Sequence, residues 1–416
     1  MKFLLVLLLS IQVLFAEDAT IEVVKKAQAL PTLAIEDSST SYSDTMKLKF
    51  FKALVADFNV LSIFNVDRHY RHNNYDASDV VVANKDMNYV VRYELVEDDS
   101  GAFNVTMKLL HSNNQVFAKK YKLSNEKAYV FVAHAMAYDI NKFMGEDSVA
   151  WMKRKVIFSR VVAPRKTEIV LSDYTLTYQH VVVKGGFNVF PKWANEKQSA
   201  FYYSSLDGAK PSLKYVDMRT AQVKTILSSD GMIICSDVRD DGKKLLITMA
   251  RNGQPDIYLY DVATHKYKRE TFYQGIDVNG QFMDDTHIAF ISSRLGYPNL
   301  FTKKLGTSGV EQLVYYGKNN SACSARGNYV VYKARETSNA FEKNTFNLHL
   351  ISTKTDFIRR LTATGINEFP RFSRDGDAIL FIKNYQRQSA IGVIRLKYNK
   401  NYLFPLGSGR IQSLDW

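Results

Sequence analysis

Val238-Arg239-Asp240-Asp241-Gly242, with Leu245-Leu246-Ile247-Thr248 just beyond it, is a tight turn that feeds a short apolar run. The chain repeats this pairing. Trp193-Ala194-Asn195-Glu196-Lys197, Phe282-Met283-Asp284-Asp285, Cys323-Ser324-Ala325-Arg326-Gly327 and Phe372-Ser373-Arg374-Asp375-Gly376 are turns of the same kind. Each leads into a comparable run, such as Ile288-Ala289-Phe290-Ile291 or Ile379-Leu380-Phe381-Ile382. The turns recur roughly every 45 residues, a period that marks stacked supersecondary units. The runs are short, β-branched or aromatic, and bounded by Asp, Gly or Ser, which reads as buried strands. A second run follows in each unit, for example Ile257-Tyr258-Leu259-Tyr260. Pro211, Pro255 and Pro298 stand just before three of these second runs. Proline has no N–H for a sheet ladder and sits comfortably where a strand begins. A third, more polar run closes each unit, as in Phe357-Ile358-Arg359-Arg360-Leu361-Thr362. With the run entering the turn, each unit has four strands, and such units repeated radially are propeller blades.

These five units leave a remainder. Lys155-Val156-Ile157-Phe158-Ser159, Thr167-Glu168-Ile169-Val170-Leu171-Ser172 and His180-Val181-Val182-Val183-Lys184 are three strands without a leading one. The last residues, Ile411-Gln412-Ser413-Leu414-Asp415-Trp416, fall where the next inner strand is due. The expectation is that this hexapeptide completes the first blade. That closes a six-bladed β-propeller over 151–416 and removes an open sheet edge.

Upstream, the pattern changes. Met1-Lys2 precedes Phe3-Leu4-Leu5-Val6-Leu7-Leu8-Leu9, and Ala16 precedes Glu17-Asp18, the layout of a secretory signal peptide over 1–16. Residues 17–36 begin acidic and extended. From the residues alone they are either a passive leader or edge strand, or a segment that adds to another protein's sheet. Residues 37–150 read as an α/β domain large enough for a core of its own. Ser43 caps a helix whose Met46, Phe50, Leu54 and Phe58 fall four apart. Tyr89–Val96 and Phe103–Leu110 alternate as a hairpin about Asp98-Asp99-Ser100-Gly101. Gln115–Leu123 adds a strand, and Ser124 opens a second helix that Gly145 ends. The chain is thus multidomain, an N-terminal α/β domain followed by the propeller.

The formal net charge is +13, but lysines and arginines are scattered over every blade and no nucleic-acid-binding motif appears. This is a basic, solvated surface. Cys235 and Cys323 fall on blades separated by another blade, beyond bridging distance, and are expected to be free, buried thiols. Neither a nucleophile elbow nor a phosphate-binding glycine loop is present. His69 and His72 lie among arginines, which disfavours a cation site. Asp240, Asp241, Asp284, Asp285 and Asp375 recur in register, as turn chemistry requires, and catalysis is not needed to explain them. No catalytic residue and no metal ligand is assigned.

The cassettes Pro191-Lys192-Trp193-Ala194-Asn195-Glu196-Lys197 and Pro370-Arg371-Phe372-Ser373-Arg374-Asp375-Gly376 resemble the Pro-x-Trp-Ser-Pro-Asp-Gly repeat of TolB-type propellers. Asp256-Ile257-Tyr258-Leu259-Tyr260-Asp261 and Leu361-Thr362 resemble that repeat's later Ile-Tyr-x-x-Asp and Leu-Thr. The whole plan is similar to the family's, although the first cassette lacks the second proline and the Asp-Gly pair. The resemblance implies a periplasmic, non-enzymatic adaptor of the Tol-Pal envelope system that supports outer-membrane integrity and constriction at cell division. It implies two partners, the lipoprotein Pal at one face of the propeller and TolA at the mature N-terminus. It also implies a monomer outside these complexes, attached to the outer membrane only through Pal. The N-terminal site is then Glu17, Asp18, Ala19, Thr20, Ile21, Glu22, Val23 and Val24. The Pal face falls on the loops entering the inner strands, at Met232, Ile233, Val278, Asn279, Asn320, Ser321, Asn367 and Glu368. No cofactor is expected. The family allows a calcium ion in the channel, but no carboxylate cluster in the sequence commands one. The rival readings are an exported propeller enzyme acting on cell-wall or other polysaccharide, and a glycan-binding module.

Overall fold

A computed structural model describes residues 30–80, 88–97, 102–338, 341, 343–386 and 388–416. The signal peptide, Glu17–Val24 and the Asp98–Gly101 turn lie outside the described residues.

The Ser43 hydroxyl accepts the Met46 N–H at 3.3 Å and opens helix α1 (Asp44–Leu61). Phe50, Leu54 and Phe58 project from one face of α1 and are fully buried. They pack on a sheet of β1 (Thr32–Asp37), β2 (Asn65–Val66), β3 (Arg71–His72), β4 (Tyr89–Glu97), β5 (Phe103–His111) and β6 (Asn114–Leu123). The order is β2-β1-β4-β5-β6, with β3 also paired to β1. The β4–β5 and β5–β6 pairs are the antiparallel neighbours expected. Two expectations are corrected. The extended leader was to run to residue 36, yet Thr32–Asp37 is an interior strand parallel to β4, with Leu33 to Asp37 buried. Its apolar Leu33, Ala34 and Ile35 draw it into the sheet. Ser124 does not open the second helix. The Asn125 side chain caps a 3-10 turn by accepting the Lys127 N–H at 3.0 Å, and helix α2 (Tyr129–Phe143) follows that turn.

After the 3-10 segment Ala150–Lys153, the chain builds six four-stranded antiparallel units. Their inner strands are Arg410–Asp415, Asn188–Trp193, Ile233–Val238, Asp277–Phe282, Ser321–Arg326 and Ile366–Phe372. Each packs beside its two neighbours, so the inner strands form a closed ring. Arg410–Asp415 pairs with Val156–Ala163, which makes the C-terminal strand the innermost strand of the first blade. A single parallel contact, Phe346 to Ile366, joins the fifth and sixth sheets.

The N-terminal domain does not keep its core to itself. One apolar cluster runs from Leu33, Phe50 and Ile140 through Trp151 to Phe158, Tyr174, Leu380, Val393 and Trp416. The Trp151 and Trp416 rings lie 5.4 Å apart. The Arg395 guanidinium donates to the carbonyls of Val60 and Leu61 at 3.1 and 2.9 Å, capping the C-terminal end of α1 from the sixth blade.

Candidate functional site

The ring encloses a channel, and the inner strands give its two halves opposite characters. Every inner strand carries a register shift against its neighbour. Bulges bend a strand and re-aim its side chains. In four blades the bulge holds a non-glycine residue in the left-handed region: Phe190 (φ 54°), Asn279 (φ 56°), Ala322 (φ 48°) and Phe369 (φ 48°). For a bulky residue that is a true outlier, and such strain persists only where the surroundings impose it. The displaced backbone N–H groups find partners on the adjacent inner strand. Trp193 donates to Asp415 at 2.9 Å, Phe282 to Asp237 at 2.9 Å and Cys323 to the Asn279 amide oxygen at 2.7 Å.

All four strained residues line a cup of about 330 Å³ at the end where the inner strands begin. Its wall is largely apolar, with Pro191, Met232, Ile234, Val278, Ile291 and Pro370. The Phe190 and Phe369 rings meet across the first blade with centroids 6.0 Å apart. Cys235 and Cys323 lie in the same wall as free, buried thiols, as the blade spacing predicted. Burial pushes the Cys235 thiol well above its ordinary range and that of Cys323 up to about 12, so neither is a ready nucleophile. Among the described residues, no histidine or carboxylate lines the cup.

Around the cup, the lead-in loops and outer hairpin turns of the third to sixth blades expose large apolar side chains. Phe272, Tyr315 and Tyr316 are 69%, 69% and 78% exposed, and Ile276, Leu295 and Tyr385 add to the rim. Large apolar side chains exposed on several loops at one end of the ring suit an interaction site.

The residues assigned to this face from sequence divide. Met232, Val278, Asn279 and Ser321 line the cup. Ile233, Asn320 and Asn367 do not face it, and their assignment is corrected. Ile233 is fully buried in the core shared by the second and third blades. The Asn320 amide donates to Asn299 and to the Tyr316 carbonyl, and that of Asn367 donates to the Phe346 and Thr364 carbonyls. These amides hold the lead-in loops in shape. Glu368 accepts from Lys333 at 3.1 Å and Asn384 at 2.7 Å. Phe190, Pro191, Phe369 and Pro370 were missed. The signal was present as a Phe-Pro pair at the same place in two cassettes.

Below the cup, the channel is crossed by a polar waist whose residues line a second pocket of about 340 Å³. Lys192 sends its ammonium to Asp237 Oδ1 and Asp415 Oδ1, both at 3.0 Å. Arg371 donates to the Gln281 amide oxygen at 3.4 Å and approaches Asp415 at 3.8 Å. The far mouth is bridged by Asp240, which pairs with Arg326 at 2.7 Å and Arg374 at 3.3 Å from blades across the ring. The residues present do not fit a calcium ion at the axis. Both waist carboxylates are engaged by Lys192, and among the described residues no three His, Cys, Asp or Glu side chains gather to hold a metal.

The TolB beta propeller domain model matches residues 145–416. The chain is 47% identical to the Tol-Pal system protein TolB of Wolinella succinogenes, over the full length of both.

The chain belongs to the TolB family.

Identity to the TolB of Campylobacter jejuni subsp. jejuni is 41%, again over the full length of both chains. The crystal structure of TolB from Acinetobacter baumannii superposes with a TM-score of 0.73, covering 93% of this chain and 97% of that one. At 17% identity that likeness speaks for the fold alone. TolB-family membership makes the chain a non-enzymatic component of the Tol-Pal system with protein partners. Among the described residues, no helix is long and apolar enough to cross a membrane.

Proposed function

We propose that this chain is the periplasmic adaptor of the Tol-Pal system, docking Pal on the cup and its aromatic rim and presenting Glu17–Val24 to TolA. In this role it supports outer-membrane integrity and constriction at division. One observation carries the reading. Strained Phe190 and Phe369 line an apolar cup with Met232 and Val278, built by inner strands of successive blades, and the lead-in loop of the fifth blade exposes Tyr315 and Tyr316. Its aromatic composition suits a protein interface. A glycan would need a denser array of hydrogen-bonding side chains than these apolar walls supply. Arg251, at the second-to-third-strand hairpin of the third blade, and Lys318, in the lead-in loop of the fifth, favour an acidic rim on the partner.

The test is calorimetric titration of Pal into the full mature chain and into Met232→Asp and Ile276→Asp. Both side chains are exposed, at 38% and 51%, so the melting temperature should hold. Pal affinity should fall by about tenfold or more, a typical effect at an interface hot spot. Unchanged affinity in both variants rejects the cup as the docking site. Recovery on peptidoglycan resin without Pal rejects the adaptor reading. Deleting residues 17–29, which stops short of β1, should abolish TolA binding and leave Pal binding intact. Retained TolA affinity removes that role from the segment.

A further inference from the structure

The polar waist is where the C-terminal strand meets the rest of the ring. Lys192 comes from the second blade, Asp237 from the third and Asp415 from the closing strand of the first. One ammonium therefore joins three inner strands, at 3.0 Å to each carboxylate. The lysine side chain is 11% exposed, and those of Asp237 and Asp415 are 15% and 6% exposed. The second oxygen of each carboxylate is already committed, Asp415 to the Trp193 N–H and Asp237 to the Phe282 N–H. Each aspartate thus turns one free oxygen toward the axis, and both of those oxygens face the same nitrogen.

We propose that the Lys192 ammonium is the resident cation of the propeller axis, holding the C-terminal strand in the ring and leaving no place for a divalent ion. The charge count supports this. Lys192 and Arg371 stand against Asp237 and Asp415, so the waist is already neutral. An added divalent ion would leave excess positive charge in a low-dielectric setting. It would also find no free carboxylate oxygen, because the two that lack backbone partners both face the Lys192 ammonium. Burial alone would lower the Lys192 pKa, but the two aspartates override it and raise it, so the cation stays charged. Taking the lysine away should convert its seat into a dicarboxylate site. The two Oδ1 atoms each lie 3.0 Å from Nζ. They are therefore no more than about 6 Å apart, within reach of one metal ion after a small shift.

The experiment compares the full mature chain with Lys192→Ala by calorimetry in EGTA and in millimolar calcium chloride. The native chain should melt at the same temperature in both buffers and give no calcium heat. Lys192→Ala should melt lower in EGTA and recover by about 5 °C in calcium, as expected for a ligand that binds only the folded state. Adding Asp415→Asn should erase that recovery. Hydrogen exchange at Arg410–Asp415 should speed up in Lys192→Ala and slow again with calcium. Should Lys192→Ala fail to fold in EGTA, refolding from urea decides, since recovery only with calcium supports the proposal. A calcium-dependent melting point in the native chain overturns it. So does a Lys192→Ala protein that ignores calcium or refolds in neither buffer.

Discussion

Replacing His134 by alanine probes the joint between the two halves of the molecule. His134 on α2 is fully buried between Asp57 on α1 and Asp173 in the loop after the first blade's third strand. Nδ1 lies 2.9 and 2.8 Å from the two Asp57 oxygens, and Nε2 lies 3.3 Å from Asp173. The Tyr174 hydroxyl also donates to Asp57, while Asp173 accepts from the backbone of Thr175 and Tyr178. Burial would lower the imidazole pKa, but the Asp57 charge and hydrogen bonds to both carboxylates raise it to about 9. Burial lifts Asp57 above the usual carboxylate range despite His134 and Tyr174. Asp173 goes the other way, because His134, Thr175 and Tyr178 together outweigh its burial and lower it. The proton therefore sits on His134, with Asp173 as its better anion.

Removing one partner of a buried ion pair costs roughly 3–5 kcal/mol. The shift from 6.5 to about 9 corresponds independently to about 3 kcal/mol. The folded-state pKa is the raised one. The contribution is therefore complete below the unfolded value of 6.5 and is lost as pH climbs through about 9. Urea denaturation followed by tryptophan fluorescence is the assay, with Trp151, 5.4 Å from Tyr174, as the reporter at the joint. At pH 6, His134→Ala should be less stable than the native chain by about 3 kcal/mol, and the gap should narrow toward pH 9.5. A gap below about 1 kcal/mol, or one that does not move with pH, refutes the charged joint.

Three further outcomes are expected. Gly392→Ala should lose about 1–3 kcal/mol in urea titration, because a Cβ there would meet the buried Phe381 ring at 2.2 Å; an unaffected midpoint would mean the ring moves freely. Arg92→Met should lose about 3–5 kcal/mol, since it strips the buried Glu36 of its cation. It should also hasten proteolysis near residues 75–79, whose carbonyls Arg92 holds, and an unchanged cleavage rate would count against that tether. Cys235 and Cys323 should resist a thiol reagent at pH 8 in the native chain and both react in urea, in keeping with their burial and raised pKa values; fast labelling of either in the native state would show that the cup opens.

Much of the architecture was legible because it rests on local, repeated signals. The turn-and-run cassette, the Ser43 cap, the β4–β5 hairpin and the place of the last strand each depend on spacing within a short window, where the backbone has few choices. The site was legible only to the level of a face. Met232 and Val278 line the cup, on the face where their position in the repeat placed them. Ile233, one residue further along a strand, points the opposite way, and Asn320 and Asn367 spend their amides on their own loops. Phe190 and Phe369 enter the cup because bulges turn the backbone into the left-handed region, and their rings meet from positions far apart in the chain.

From the sequence by itself come the blade repeat, the order of elements and the free cysteines, all set by periodicity and composition. Tertiary structure alone decided that the N-terminal domain shares its core with the propeller. It alone decided that one end of the channel is apolar and that Lys192 sits between Asp237 and Asp415. The physical reason is that a side chain's partner depends on ring closure, which brings strands hundreds of residues apart into contact, and no local pattern encodes the direction in which a bulge will aim it.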